Sequence, residues 1–146
     1  MIADQVILLV EDNGDDAELT QRALRFARVS NPIVWVRDGV EALDYLFGRD
    51  RFAGRDTREL PAVVLLDLRL PRLGGLDVLK TIRGDARIRR LPVVILTSSD
   101  HDRDRLGAYE NLANSYVRKP VDYDQFVEAA RQLGLYWIVY NAKSPP

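Results

Sequence analysis

Several residue types that often carry chemistry are missing or scarce in this chain. Among its 146 residues it has no cysteine and one histidine, His101. The absence of cysteine excludes disulfides, thiolate catalysis and cysteine-ligated zinc sites. A Ser-His-Asp arrangement would have to use His101, and nothing near that residue resembles a nucleophile elbow. Lysine is also scarce, because only Lys80, Lys119 and Lys143 stand among the 21 basic residues, which makes each lysine a candidate for a specific role.

Neither charge nor hydrophobicity is concentrated in a way that predicts a nucleic-acid or membrane partner. The formal net charge of −1 gives no electrostatic basis for binding a nucleic-acid backbone. No apolar stretch approaches the ~20 residues needed to span a bilayer. Residues 1–16 lack the basic flank and the cleavage region of a secretory signal. We therefore expect a cytoplasmic protein with one folded domain and without a nucleic-acid or membrane partner.

Short apolar runs and helical periodicity alternate along the chain. The runs predict five strands, at residues 6–10, 32–36, 62–67, 91–97 and 115–120. Apolar residues at helical spacing follow each strand and predict five helices, on Leu19, Ala23, Phe26 and Ala27; on Val40, Leu43, Leu46 and Phe47; on Leu76, Leu79 and Ile82; on Leu106, Tyr109 and Leu112; and on Phe126, Ala130 and Leu133. This alternation predicts an α/β fold, with a doubly wound five-stranded parallel sheet and helices on both faces.

One connection in this pattern is unusually long. Residues 48–61 exceed the ~2–6 residues that usually join such elements. The segment is interpreted as a solvated flap, and a loop that contacts a partner is the alternative.

Polar residues stand where the predicted strands end. Glu11 and Asp12 follow the first strand, Asp67 ends the third, Thr97 the fourth and Lys119 the fifth. Because the carboxyl ends of parallel strands share one edge of the sheet, these side chains are expected to converge. Three carboxylates in one crevice repel each other and require a cation, and oxygen ligands suit Mg²⁺. A hydroxyl and an ammonium beside them suit a phosphoryl group. An aspartate can form an acyl phosphate, so Asp67 is the predicted nucleophile.

In this combination the chain resembles the receiver domain of two-component response regulators. The matching stretches are "LLVEDN", "LLDLRLPRLGG", "VVILTSS" and "SYVRKP", and the resemblance covers about residues 5–133. It implies a flavodoxin-like strand order, 2-1-3-4-5, and a phosphoryl group accepted from a histidine kinase on Asp67. It also implies that Mg²⁺ is bound by Glu11, Asp12, Asp67 and the main-chain carbonyl of Arg69.

The resemblance further implies a conformational switch. Lys119 would pair with the phosphoryl group, Thr97 would move toward it, and Tyr116 would change rotamer. These changes would remodel the face formed by the fourth helix, the fifth strand and the fifth helix. An ordinary strand aromatic with its hydroxyl at the surface is the alternative interpretation of Tyr116. The Lys119–Pro120 bond is expected to be cis.

Residues 134–146 extend beyond the receiver domain, which is assigned to residues 1–133. Tyr136 to Tyr140 form an apolar and aromatic run that would be unfavourable in water. The run is predicted either to fold back onto the chain's own helices or to pack in a homodimer, and the homodimer is preferred because aromatic clusters favour interfaces. The chain is similar to single-domain regulators that pair with phytochrome-type histidine kinases, so such a kinase is the predicted partner.

Two other function classes fit parts of the pattern. A haloacid-dehalogenase-type phosphatase also uses a strand-end aspartate with Mg²⁺, but it usually has a second aspartate where this chain has Arg69. A receiver-fold interaction module that acts without phosphorylation would need none of the polar strand-end residues. We therefore expect a phosphoacceptor signalling protein rather than an enzyme, one that promotes its own phosphorylation and dephosphorylation.

Overall fold

The computed structural model describes residues 5–98, 112–113 and 115–135, and within them the chain forms a five-stranded sheet. Its strands are β1 (Ile7–Val10), β2 (Ile33–Val36), β3 (Val63–Asp67), β4 (Val93–Thr97) and β5 (Ser115–Arg118). The strand order is β2-β1-β3-β4-β5, and every neighbouring pair is parallel. The predicted fold class and strand order are therefore confirmed.

The composition of the strands follows from their position in the sheet. Every residue of β1, β3 and β4 is buried, as expected for central parallel strands covered on both faces. This explains why their sequences are continuous apolar runs rather than alternating ones. The edge strand β2 is mostly half-buried, and β5 alternates between buried and less buried positions.

Four α-helices lie in the described part of the chain: α1 (Gly14–Phe26), α2 (Gly39–Phe47), α3 (Gly75–Gly84) and α4 (Tyr123–Gln132). Asn13, Asp38 and Asp122 cap α1, α2 and α4, because each side chain accepts a backbone N–H of the first turn. Leu106 and Tyr109 of the predicted fourth helix lie outside the described residues, so α4 corresponds to the fifth predicted helix. None of the helices in these ranges has the length and apolar character required to cross a bilayer.

Two apolar layers cover the two faces of the sheet. One lies between the sheet and helices α1 and α4, and its buried side chains include Ile7, Leu9, Leu24, Leu65, Leu96 and Phe126. The other lies between the sheet and helices α2 and α3, and it includes Leu8, Val10, Leu46, Leu66, Leu79 and Ile95. Successive residues of one strand thus enter opposite layers, as the period of a strand requires. The prediction of helices on both faces is confirmed.

The buried face of α1 only partly matches the apolar residues whose spacing predicted this helix. Leu19 and Phe26 are 39% and 50% exposed. The helix instead buries a face of mostly smaller residues, Ala17, Thr20, Ala23 and Leu24. Small side chains carry little hydrophobic signal in the sequence, but they let the helix approach the sheet closely. The ring of Phe26 is partly covered by an edge-to-face contact with Tyr123, at 5.2 Å between ring centroids.

The long segment 48–61 is held against α2 by arginines. A short 3-10 helix spans Asp50–Phe52. Arg55 donates to the main-chain carbonyl of Tyr45 at 2.6 Å and stacks over its ring, with 3.9 Å between guanidinium carbon and ring centroid. Arg87, from the connection before β4, donates to the carbonyl of Thr57 at 2.6 Å. The segment is therefore attached to the domain at several points, while most of its residues are exposed to solvent. A role in partner contact stays a prediction.

The start of α2 lies so close to the loop after β3 that only glycine fits there. A Cβ atom at Gly39 would overlap the main-chain carbonyl oxygen of Leu73. We expect Gly39→Ala to lower the free energy of unfolding by about 1–3 kcal/mol, because backbone atoms cannot rotate away from the added methyl group. Urea unfolding would measure the change. Gly54→Ala is the matched control, since no heavy atom lies within 4 Å of the added Cβ, and its effect should stay within about 0.5 kcal/mol. Equal losses in both variants would contradict this account.

Candidate functional site

The register of the sheet brings Glu11, Asp67 and Lys119 together at the edge where the strands end. Val10 lies opposite Leu66, so Glu11 and Asp67, the next residues along β1 and β3, are neighbours. Lys119 follows β5, which lies two strands from β3 and three from β1, and its long side chain reaches back to both carboxylates. Its Nζ lies 3.0 Å from Oε1 of Glu11 and 3.0 Å from Oδ2 of Asp67. The predicted convergence of these three residues is therefore confirmed.

A third carboxylate, which the sequence pattern did not predict, also contacts this lysine. Oδ2 of Asp16, in the first turn of α1, lies 3.1 Å from Nζ of Lys119. A lysine ammonium has three N–H donors, and these three carboxylates accept all of them. In the sequence, Asp16 stands three residues after Asn13, which is a common pattern at helix starts and therefore gives no indication of a role in the site.

Burial sets the electrostatics of the cluster. The side chains of Glu11, Asp67 and Lys119 are 0%, 5% and 11% exposed. Burial raises the pKa of the Glu11 carboxyl to about 8, and the hydrogen bond and negative charge of Asp67 add to the rise. Burial lowers the pKa of Lys119, but hydrogen bonds to Asp67 and Glu11 outweigh it and raise that pKa above its ordinary value. The lysine therefore stays charged, while the buried Glu11 carboxyl is stabilised by a proton or a cation.

Oxygen atoms that could bind a metal ion lie beside the lysine. Carboxylate oxygens of Glu11, Asp12 and Asp67 lie within 4.8 Å of one another. Asp12 is exposed whereas the other two are buried, so an ion could enter from the side of Asp12. Three hard oxygen donors without nitrogen or sulfur fit Mg²⁺, which retains water in its remaining positions. Arg69 donates its main-chain N–H to Oδ1 of Asp67 at 3.0 Å. Metal binding by its carbonyl stays a prediction.

Thr97 and Tyr116 lie on β4 and β5, the two strands on one side of β3. Thr97 is buried at the end of β4, and its main-chain carbonyl accepts the N–H of Lys119 at 2.6 Å. Tyr116 is half-buried on β5 and packs against the apolar layer between the sheet and helices α2 and α3. The Lys119–Pro120 bond is cis, as expected. The movements of Thr97 and Tyr116 in a switch stay predictions.

Two close contacts hold the backbone around the carboxylates. The indole N–H of Trp35 on β2 donates to the main-chain carbonyl of Glu11 at 2.7 Å. A Cβ atom at Gly75 would overlap the main-chain carbonyl oxygen of Asp67, so the start of α3 rests directly on the end of β3. This contact gives a physical reason for the second glycine of the motif "LLDLRLPRLGG". Neither Trp35 nor Gly75 was among the predicted site residues.

The raised pKa of Glu11 predicts how pH changes the stability of metal-free protein. Folded protein keeps the Glu11 proton up to about pH 8, whereas the unfolded chain releases it near its ordinary pKa of 4.5. In that interval the folded state binds more protons, so the free energy of unfolding should fall as pH rises. Glu11→Gln should remove this contribution and flatten the profile. Chemical unfolding in EDTA at pH 5, 6.5 and 8 would measure it.

Glu18→Gln, at an exposed position of α1, is the matched control and should keep the wild-type slope. If the free energy of unfolding of Glu11→Gln changed with pH in parallel with that of the wild type, Glu11 would not be the group that carries the proton.

The model of the response regulator receiver domain family matches residues 7–131. Among curated relatives, the probable methanogenesis regulatory protein FilR2 of Methanothrix harundinacea (strain 6Ac) is 42% identical over 97% of this chain and 88% of its own length. Among solved structures, the bacteriophytochrome response regulator AtBRR is 47% identical, with a TM-score of 0.86 over 92% of this chain and 95% of that one.

Two further similar structures are of a phosphorylated and of an Mn²⁺-bound response regulator. The phosphorylated cyanobacterial phytochrome response regulator RcpA is 34% identical, with a TM-score of 0.72 over 98% of this chain and 99% of that one. The Mn²⁺-bound form of response regulator Rcp1 is 30% identical, with a TM-score of 0.71 over 97% and 99%. With a family match that spans most of its length, this chain belongs to the response regulator receiver domain family.

Proposed function

We propose that the chain accepts a phosphoryl group from a histidine kinase on Asp67, in a reaction that requires Mg²⁺. The observation that carries the proposal is the imbalance of charge at the sheet edge. A structural ion pair for Lys119 needs one carboxylate, but Glu11, Asp16 and Asp67 share this lysine, and Asp12 lies beside them. Burying excess negative charge is costly unless a cation or a proton compensates it. The arrangement is thus suited to a divalent ion.

Each residue has a chemical role in the transfer. Glu11, Asp12, Asp67 and the main-chain carbonyl of Arg69 would bind Mg²⁺, which neutralises charge on the transferring oxygens when bound. A carboxylate oxygen of Asp67 forms the new P–O bond while the P–N bond of the phosphohistidine donor breaks. Lys119 donates a hydrogen bond to a phosphoryl oxygen. The phosphorylated RcpA and the Mn²⁺-bound Rcp1, both relatives of this chain, support these two parts of the proposal.

The response to phosphorylation would begin at the ends of β4 and β5. Phosphorylation adds roughly −1.5 to −2 charges at one point. Thr97 is buried at the neighbouring strand end, and its carbonyl bonds to the N–H of Lys119, so a displacement at either residue acts on both strands. Tyr116 would follow by changing rotamer, and the face that carries β5 would then bind a different partner. A coupling of ~1–3 kcal/mol is typical of such switches.

Labelling with a small phosphoryl donor tests the acceptor. After incubation with acetyl phosphate and Mg²⁺, intact mass should increase by one phosphoryl group in the wild type and not in Asp67→Asn. The increase should be absent in EDTA. Half-maximal labelling of Asp12→Asn should require at least about tenfold more Mg²⁺ than the wild type, because the substitution removes one carboxylate ligand. Asp44→Asn, a half-buried aspartate on α2, is the control and should label as the wild type does.

Stable labelling of Asp67→Asn would disprove the acceptor assignment. Absence of labelling together with absence of Mg²⁺ binding would favour a receiver-fold interaction module that acts without phosphorylation.

The kinase partner is proposed to be of the phytochrome type. The relatives AtBRR and RcpA are named as phytochrome response regulators and share 47% and 34% identity with this chain. Transfer from a purified phosphorylated phytochrome-type kinase should be at least about tenfold faster than from an unrelated histidine kinase, because kinase and receiver surfaces are selected for each other. Equal rates would contradict this pairing. A homodimer through residues 134–146 and a cytoplasmic location stay predictions, and residues 136–146 lie outside the described ranges.

A further inference from the structure

Asp16 differs from the other carboxylates that contact Lys119. Glu11 and Asp67 belong to the group of oxygens that could bind a metal ion, and Asp16 does not. Asp67 is also the proposed phosphoryl acceptor. Two of the three partners of Lys119 would therefore change their chemistry when metal and phosphoryl group arrive. Only Asp16 can keep the same hydrogen bond to Nζ, which is 3.1 Å long in this structure.

Local hydrogen bonding explains why the Asp16 carboxylate is available. Asn13 caps α1 by accepting the main-chain N–H of Asp16 at 2.9 Å. In a capping box, the acidic residue at the position of Asp16 would reach back to the main-chain N–H at the cap. Here Oε2 of Glu11 accepts that N–H of Asn13, at 3.2 Å. The Asp16 side chain is released from the cap and extends to Lys119 instead.

The position of Asp16 at the rim suits it to orient the lysine. Its side chain is 31% exposed, whereas that of Lys119 is 11% exposed and those of the other two partners are at most 5% exposed. The ammonium is thus bound from two sides: by the buried Glu11 and Asp67 at the strand ends, and by the partly exposed Asp16 on helix α1. Because α1 is fixed to the sheet by its buried face, Asp16 is a rigidly placed acceptor.

We propose that Asp16 is a positioning residue, which holds Nζ of Lys119 beside Asp67 before and after phosphorylation. The inference rests on the proposed function of Asp67. Without Asp16, Lys119 would lose the one hydrogen-bond acceptor that is neither a proposed metal ligand nor the phosphoryl acceptor. Its ammonium would then be less well oriented to stabilise the transferring oxygens.

Three variants separate position from charge. Asp16→Ala removes both the charge and the acceptor, and Asp16→Asn keeps an acceptor oxygen without the charge. Asp15→Ala is the matched control, since Asp15 is exposed in the same first turn and is not among the three carboxylates described at Lys119. It reproduces the loss of an acidic residue near the positive end of the helix. Thermal unfolding of all three would show that they remain folded.

The first readout needs neither metal nor phosphoryl group. In ¹⁵N-labelled metal-free protein, the ammonium N–H signal of Lys119, assigned with Lys119→Met, should be protected from exchange with water in the wild type and in Asp15→Ala. It should broaden in Asp16→Ala. The second readout is the rate of labelling by acetyl phosphate. This rate should fall about fivefold in Asp16→Ala relative to Asp15→Ala, and Asp16→Asn should stay within about twofold of the wild type.

An Asp16→Ala variant with the ammonium signal and labelling rate of Asp15→Ala would overturn the inference. So would Asp16→Asn labelling as slowly as Asp16→Ala, because charge rather than a positioned acceptor would then be responsible. The two proposals fail separately: if the wild type neither is labelled nor binds Mg²⁺, the proposed function of Asp67 fails, while the ammonium signal still reports whether Asp16 holds Lys119.

Discussion

The ammonium of Lys119 joins four parts of the chain that are far apart in sequence. Its three hydrogen bonds go to the end of β1, to the first turn of α1 and to the end of β3, and the lysine itself follows β5. One positive charge does not balance the carboxylates around it. The hydrogen bonds of the ammonium are therefore all made, but the site keeps an excess of negative charge. That excess suits the sheet edge to a divalent cation, which under the proposed function would in turn offset the negative charge of the phosphoryl group.

The rest of the fold keeps these like charges close together. Three central strands buried on both faces fix the register, so Glu11 and Asp67 cannot separate without breaking the sheet. Gly39 and Gly75 allow the loop after β3 to lie directly on its neighbours. Two apolar layers supply the stability that offsets carboxylate repulsion. Under the proposed function, the same rigidity would transmit a change of charge at Asp67 to the adjacent strands.

The differences between expectation and structure have a common physical origin. The spacing of Leu19 and Phe26 predicted helix α1, but the sheet accepts the face of that helix with mostly smaller side chains. Asp16 looked like a helix-start residue, and its role depends on a hydrogen bond between Glu11 and Asn13 that no local pattern encodes. In each case the outcome was decided by a neighbour distant in sequence or by the shape available for packing.

The sequence by itself determined the parallel sheet and the identities of Glu11, Asp12, Asp67, Thr97 and Lys119 as strand-end polar residues, and its resemblance to receiver domains implied the strand order. It could do so because burial on both faces demands continuous apolar runs, and because parallel strands place their carboxyl ends at one edge. Only the tertiary structure decided which face of α1 is buried, that residues 48–61 pack on α2, and that Asp16 completes the bonding of Lys119. Those features depend on distances between segments, which a pattern along one chain does not contain.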